Sequence, residues 1–490
     1  MDKSTGSHFY IGVPNFGEII KGEETAYDEV KRSIHRLHTY YAGIITVANH
    51  YGAEIEKFSG GRAHVYIEQK DQETDDDYIL RCLKCMIASF RFVYDVFNNL
   101  GKYSLYTKFT ANGGADYGDF YKYEIVDMNE FTTIGGVANI AAKLAAAAQK
   151  KYLYVTDSLY NLITTDLKDD FELLDEQELK EIQERLKGNP RVYRGLYSDL
   201  FNDDEDMEQL LDEVSAECNN IANSFNLSDM QVEKAYAKIA FSNLSRKKSK
   251  QISAGILYAD IRGFTKLFNV SGNNLDDLAL VLKDIYDDLN QASAEYGGVR
   301  VQFQGDRIVA VFNTFTQEND LHLVRMFRAA LLIKKKLNDL NGKHKERLSG
   351  KKLKVGIGLC YGQFYATRLG KKTHTDNQVM GKTTDQGDIA EDRYAGDQEI
   401  VANKSFKEEA QAHSEESIAC SVIINELKAI STTGYYHTSI TLDEFDNAIE
   451  KATKEAIEQS ATKKMAAALT SSKEIITPYG SERVLRPWRG

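Results

Sequence analysis

Two hairpins constrain this chain more than any single residue does. Residues 56–67 read EKFSGGRAHVYI and residues 301–312 read VQFQGDRIVAVF. Both alternate apolar and polar side chains around a glycine-led two-residue turn, the pattern of an antiparallel pair. They belong to a longer duplication, because FYIGVPNFGEII (9–20) aligns without gaps on LYADIRGFTKLF (257–268). In each copy a short apolar strand is followed by a turn, a long amphipathic helix, the hairpin, another helix and another strand. The turns differ in one respect. Gly60-Gly61 carries no side chain where Gly305-Asp306 presents a carboxylate.

The order strand, helix, hairpin, helix, strand, helix, strand predicts an α/β fold, an α+β sandwich with helices packed on a sheet, formed twice. Residues 1–200 make one copy and 251–490 the other. The stretch 201–250 starts acidic (NDDEDMEQLLDEVSAE) and ends basic (SRKKSKQ), which reads as a helical, solvated linker. The formal charge of −12 argues against a general nucleic-acid or anionic-membrane surface. No run of about 18 apolar residues predicts a membrane helix, and MDKSTGSHFYIGVP lacks the apolar core of a signal peptide. Five cysteines make no disulfide framework, so a reducing, cytoplasmic setting is expected. Cys82 and Cys85 form a CxxC inside ILRCLKCMIASFRFVY, an apolar helical stretch without a second pair. Core packing is expected there rather than zinc or redox chemistry.

The second copy carries the carboxylates. Asp260 ends the apolar strand GILYAD, and Asp306 sits at the hairpin tip. If strand and hairpin are sheet neighbours, both side chains leave the same end of the sheet. With the backbone carbonyl of Ile261 they would hold one or two hard divalent cations. The plainer alternative makes Asp260 a helix N-cap and Asp306 a turn residue.

ADIRGFTKLF followed by YGGVRVQFQGDRIVAVF resembles the metal-binding half of class III nucleotide cyclases. Those enzymes convert a nucleoside triphosphate to its 3′,5′-cyclic monophosphate and pyrophosphate, with two domains paired head to tail. The resemblance implies an intramolecular pseudo-heterodimer with one asymmetric active site. It implies two Mg²⁺ or Mn²⁺ ions on Asp260, Ile261 and Asp306, with Phe264 and Thr265 beside the substrate. In the first copy, Gly12 and Gly61 stand where the carboxylates would be. That copy keeps FTTIGGVANIAAKL (131–144), similar to the segment with the transition-state residues. Asn139 matches the family's Asn, and Lys143 matches its Arg. Lys57 matches the purine-reading Lys, and Thr132 its Asp or Thr partner. In the second copy Gln302 replaces the base-reading Lys. VMGKTTDQGDIAEDRYA places Asp385 opposite Asn139 and Ile389 opposite Lys143, or Asp388 and Asp392 if shifted by three. The losses are reciprocal. Lys143 departs from the family pattern, because a Lys cannot make the bidentate contact of an Arg.

The base stays open at this level. Lys57 with Thr132 resembles an adenine-reading pair, but a Lys donor serves the O2 or O4 carbonyl of uracil equally well. The architecture is similar to bacterial pyrimidine cyclases of antiphage defence, which make cyclic UMP or cyclic CMP for a partner effector protein. The resemblance therefore implies UTP or CTP, with ATP as the alternative and an inactive nucleotide-sensing homologue as a second. No nucleic-acid or membrane partner is expected. A connector of about 50 residues spans the two copies easily, so a monomer suffices and a homodimer remains open. Lys354, in KVGIGL, reads as an exposed strand-edge residue rather than a polyphosphate contact.

Overall fold

The computed structural model describes residues 2–23, 27–125, 130–186, 190–224, 226–264, 267, 275–313 and 321–473. The first repeat contains β1 (Asp2–Gly12), β2 (Glu54–Ser59), β3 (Arg62–Glu68), β4 (Asn112–Ile125), β5 (Glu130–Ile134), β6 (Tyr152–Thr156), β7 (Phe171–Leu173) and β8 (Val192–Leu196). The second contains β9 (Gln231–Lys234), β10 (Lys248–Arg262), β11 (Val299–Gln304), β12 (Arg307–Phe312), β13 (Lys354–Lys371), β14 (His374–Met380), β15 (Glu399–Asn403), β16 (Lys428–Ala429) and β17 (Tyr435–Thr438). The sheets run β2-β3-β1-β4-β6-β8-β7 and β11-β12-β10-β13-β15-β17-β16. Position by position the two orders are the same. The duplication in sequence is a duplication in topology.

Helices cover the sheets by the expected periodicity. Ile34, Leu37, Tyr41 and Ile45, on the helix Tyr27–His50, recur at three- and four-residue steps and are buried in the first core. Leu278, Val281, Leu282, Ile285 and Leu289, on the helix Leu275–Glu295, do the same in the second. Each of these helices also fixes its hairpin. The Tyr41 hydroxyl donates to the Gly60 carbonyl at 2.6 Å, and the Tyr286 hydroxyl to the Gly305 carbonyl at 2.8 Å. Both turn glycines have positive φ, +57° at Gly60 and +63° at Gly305, a region costly for other residues.

The segment expected to be a solvated linker packs instead. The helix Glu205–Asn223 buries Met207, Leu210, Leu211, Val214 and Cys218 in the first core, with Asp204 as its N-cap. The acidic residues lie on its outer face, so a charge count averaged over the segment hid a continuous apolar stripe. β9 then pairs parallel with β10 and extends the second sheet. Cys82 and Cys85 are buried in the helix Asp75–Arg91, and burial pushes the Cys82 thiol up to about 12. No described helix is long and apolar enough to cross a membrane.

The repeats meet through their hairpins and β14. Asp376 accepts from the Phe58 amide at 2.8 Å. Gln378 accepts from the Gly60 amide at 3.1 Å and donates to the Phe58 carbonyl at 2.9 Å. Gln304 donates to the Ser59 hydroxyl at 2.8 Å.

Candidate active site

Strand and hairpin are neighbours in one sheet. Asp260 pairs with Arg307 in the β10–β12 register, and the Ile261 amide donates to the Asp306 carbonyl at 3.2 Å. Asp260 and Asp306 leave the same sheet end, close enough for their carboxyl groups to influence one another. They face a cavity of about 330 Å³ between the repeats. Asn139 and Lys143, from the helix Gly136–Ala147, line the same cavity. The four-residue spacing puts both on one helix face, with Asn139 exposed and Lys143 half-buried.

Lys57 lines the same cavity, and its ammonium donates to the Phe303 carbonyl of the other repeat. Thr132 is buried, and its hydroxyl donates to Glu56 at 3.2 Å; Thr133 and Glu56 form the cavity wall there. Phe264 lines the wall while its side chain is buried. The Ile261 side chain is buried in the core. Thr265 lies outside the described residues. Lys354 is exposed and pairs with Asp397 at 2.5 Å, away from the cavity wall.

Two acidic residues on the wall were not assigned to this site from sequence. Glu391 and Asp392 line it beside Asp260 and Asp306. Asp392 entered the sequence reading only as a shifted partner for the other copy's helix. Residues 390–394 form a π-helical turn after the helix Lys382–Ile389, so α-helical spacing misplaces their side chains. Burial raises the Asp260 carboxyl, while Arg307 and Arg262 oppose that rise. Burial and the Asp260 charge push Glu391 up to about 7. Arg307 donates to Asp388 at 2.6 Å and to Glu391 at 3.3 Å. This crowd of oxygen donors fits hard divalent cations: burial and mutual repulsion already ask for positive charge there.

Glu56 was also missed. It accepts from Thr132, Thr133 and His64, whose Nδ1 lies 3.1 Å away. Burial acts to raise this carboxyl, but His64 and Lys57 prevail and hold it down to about 2.

A second cavity, of about 390 Å³, occupies the related position. Gly12 and Gly61 line it where the first has Asp260 and Asp306, and Asp385 and Ile389 line it where the first has Asn139 and Lys143. Gly135 and Gly381 are the N-caps of the corresponding helices, which selects the unshifted alignment of those residues.

Residues 246–385 match the family model described as the adenylate and guanylate cyclase catalytic domain. That match falls on the copy with the carboxylates. Among solved structures, a class III adenylyl cyclase-like ATP-binding protein from Pseudomonas aeruginosa is 18% identical, with a TM-score of 0.69. The match covers 91% of this chain and 90% of that one. The adenylyl cyclase CyaB from P. aeruginosa is 18% identical over 39% of this chain and 94% of that one, with a TM-score of 0.32. The guanylate cyclase domain of RhGC from Catenaria anguillulae, in complex with GTP, is 17% identical over 38% and 95%, with a TM-score of 0.30. No curated protein matches the chain. Each of the two sheets thus resembles a class III cyclase domain, and together they form a tandem pseudo-dimer.

Proposed function

We propose that this protein is a nucleotidyl cyclase, converting a nucleoside triphosphate to its 3′,5′-cyclic monophosphate and pyrophosphate at one asymmetric site. One observation carries the reading. Asp260 and Asp306 of one repeat share a cavity with Asn139 and Lys143 of the other, while the second cavity has Gly12, Gly61, Asp385 and Ile389 at those places.

In this reading the ribose 3′-oxygen attacks the α-phosphorus, the new O3′–P bond replaces the bond to the β-phosphate, and pyrophosphate leaves with that electron pair. The hydroxyl proton passes to solvent. Asn139 orients the ribose, so that attacking oxygen and phosphorus meet in line. The Lys143 ammonium faces charge that builds on the α-phosphate oxygens. Asp260 and Asp306, with the Ile261 carbonyl, would hold two Mg²⁺ or Mn²⁺ ions. Such ions would polarise the hydroxyl and neutralise the triphosphate. Phe264, on the cavity wall, would stand beside the substrate.

For the base we favour a pyrimidine, UTP or CTP, with the cyclic product acting on a separate effector protein in the cytoplasm as part of antiphage defence. That preference rests on likeness of architecture. Adenylate cyclase activity is the alternative, and the ATP-binding protein from P. aeruginosa favours it. A protein that binds nucleotide without turnover is the other, favoured by Lys143 in place of Arg. Purified protein should be incubated separately with ATP, GTP, CTP and UTP, with Mn²⁺ and with Mg²⁺, and the products identified by chromatography and mass. A cyclic nucleotide from any of the four supports the cyclase. None from all four, with nucleotide binding intact, leaves the sensor.

A further inference from the structure

Three ligand-bearing side chains converge behind the cavity wall of the first repeat. His8 on β1 and His64 on β3 are diagonal cross-strand neighbours, because the register pairs His8 with Tyr66 and Tyr10 with His64. Both therefore leave the same face of the sheet. Glu56 on β2 would point away from its neighbour Lys57, since side chains alternate along a strand. The β2–β3 register shifts between Ile55 and Lys57, and this bulge turns Glu56 to the face of His64. Each of the three offers one ligand atom within 4.8 Å of the other two.

The three are 0% (His8), 6% (His64) and 6% (Glu56) exposed. His8 Nδ1 lies 2.8 Å from His64 Nε2, and His64 Nδ1 lies 3.1 Å from Glu56 Oε2. Two ligand atoms on one tetrahedral ion with bonds of 2.0–2.1 Å stand about 3.3 Å apart. An ion therefore enters by a small spreading of these contacts, with the flexible Glu56 side chain drawing in. Each neutral imidazole has one nitrogen lone pair to give. His8 Nε2 is buried and has no hydrogen-bond partner among the described residues, so nothing outside the cluster ties the His8 proton to one nitrogen. With the proton on Nε2, Nδ1 is a ligand. The rings are held in place, His64 stacked on Tyr10 at 4.1 Å and His8 against the edge of Phe120 at 4.4 Å. Glu56 and His64 line the cavity, which gives an ion its way in and leaves one position for water. The Lys57 ammonium beside them opposes a cation, but it is engaged by the Phe303 carbonyl.

We propose that His8, His64 and Glu56 are the ligands of a transition-metal site that takes Zn²⁺, distinct from the Asp260–Asp306 carboxylates. Donor chemistry sorts the two sites. Imidazole nitrogens suit Zn²⁺ and its neighbours, whereas carboxylate and carbonyl oxygens suit Mg²⁺ and Mn²⁺. Two imidazoles, one carboxylate and an open fourth place make a donor set that zinc accepts. The inference does not depend on the cyclase reading.

The test reads the metal rather than turnover. Purified, untagged protein is stripped by a chelator, dialysed and titrated with Co²⁺ in excess Mg²⁺, and its visible d–d absorption is followed. A single equivalent should bind, give the intense band of a four-coordinate ion, and lose it as Zn²⁺ displaces Co²⁺. His64→Gln and His8→Gln should each weaken binding by about 100-fold. Asp260→Asn combined with Asp306→Asn should leave the band and its titration unchanged. Buried variants can lose their fold, so X-ray absorption of the Zn²⁺-loaded wild type supplies a second reading, in which two imidazole ligands are expected. No stoichiometric binding in excess Mg²⁺, or a shell of oxygens without imidazole, overturns the inference. So does a band lost with the carboxylates and kept with the histidines. None of these readings uses cyclic product, so the cyclase reading stands or falls separately.

Discussion

Arg307 donates to Asp388 at 2.6 Å, and this ion pair stands between the two cavities. Asp388 lines the cavity without metal carboxylates, and Arg307 lines both. Asp388 therefore holds the guanidinium partly away from Asp260. Replacing Asp388 by Asn should let Arg307 compete for Asp260 and raise the metal concentration for half-maximal turnover by about fivefold, the scale of a half-exposed ion pair. Titrating Mn²⁺ and Mg²⁺ in the variant checks this; an unchanged midpoint removes Arg307 from the metal balance.

Asp260→Asn and Asp306→Asn should each abolish cyclic product, by a factor of about 1,000 or more. Thermal midpoints should stay close to wild type, because Arg307 keeps Asp388 and Glu391 as partners. Product measured beside a melting curve separates lost chemistry from lost folding. Unchanged turnover would sink the metal assignment.

Lys143→Ala should cut turnover about 100-fold or more, the usual effect of losing a group that meets transition-state charge. Lys143→Arg should retain activity, since a guanidinium keeps the charge and adds a second donor direction. Comparing kcat with KM for both variants tests the role: a change confined to KM would make Lys143 a ground-state anchor.

Asp116 offers a pH test away from the chemistry. It is buried, accepts from the Thr156 hydroxyl at 2.5 Å, and is pushed up to about 6 by burial. Its folded value lies above its ordinary one of 3.8, so the folded state binds the proton more tightly. Its stabilising share is complete below about pH 4 and is lost as pH rises through about 6. Asp116→Asn should therefore gain on the order of 2–3 kcal/mol over wild type at pH 8 and almost nothing at pH 4. Denaturant melts at the two pH values decide; an equal difference at both would refute it.

Because both walls of the candidate site come from one chain, specific activity should not change as protein is diluted to nanomolar levels. Gln378→Ala removes two contacts to the Phe58–Gly60 backbone and should loosen the pairing of the repeats. The expected result is turnover reduced several-fold, with each lost buried bond worth about 1 kcal/mol. Activity that falls steeply on dilution of wild type would show that two chains build the site.

Much of the fold was legible because duplication repeats its own evidence. The glycine-led turns at Gly60 and Gly305, the apolar alternation of the hairpins and the helix periods at Ile34–Ile45 and Leu278–Leu289 are local patterns that pairing does not alter. The segment 201–250 was not legible as a packed element, since charge composition outweighed the stripe Met207–Leu211–Val214–Cys218. Thr132 shows the limit from the other side. A family position placed it near the base, but a hydroxyl is short and the neighbouring Glu56 takes its donor.

By itself the sequence determined that there are two copies with different residues at matching places, and it put Asp260 and Asp306 at one sheet end on condition that strand and hairpin pair, as they do. Those are consequences of spacing along single strands and one hairpin, where the backbone alone sets which residues are neighbours. Only the tertiary structure decided what surrounds them. A bulge turned Glu56 onto the cavity wall beside Lys57, and a π-helical turn brought Glu391 and Asp392 to the carboxylates. Each inserts a residue out of phase with the regular period, and phase is what a reading of spacing assumes.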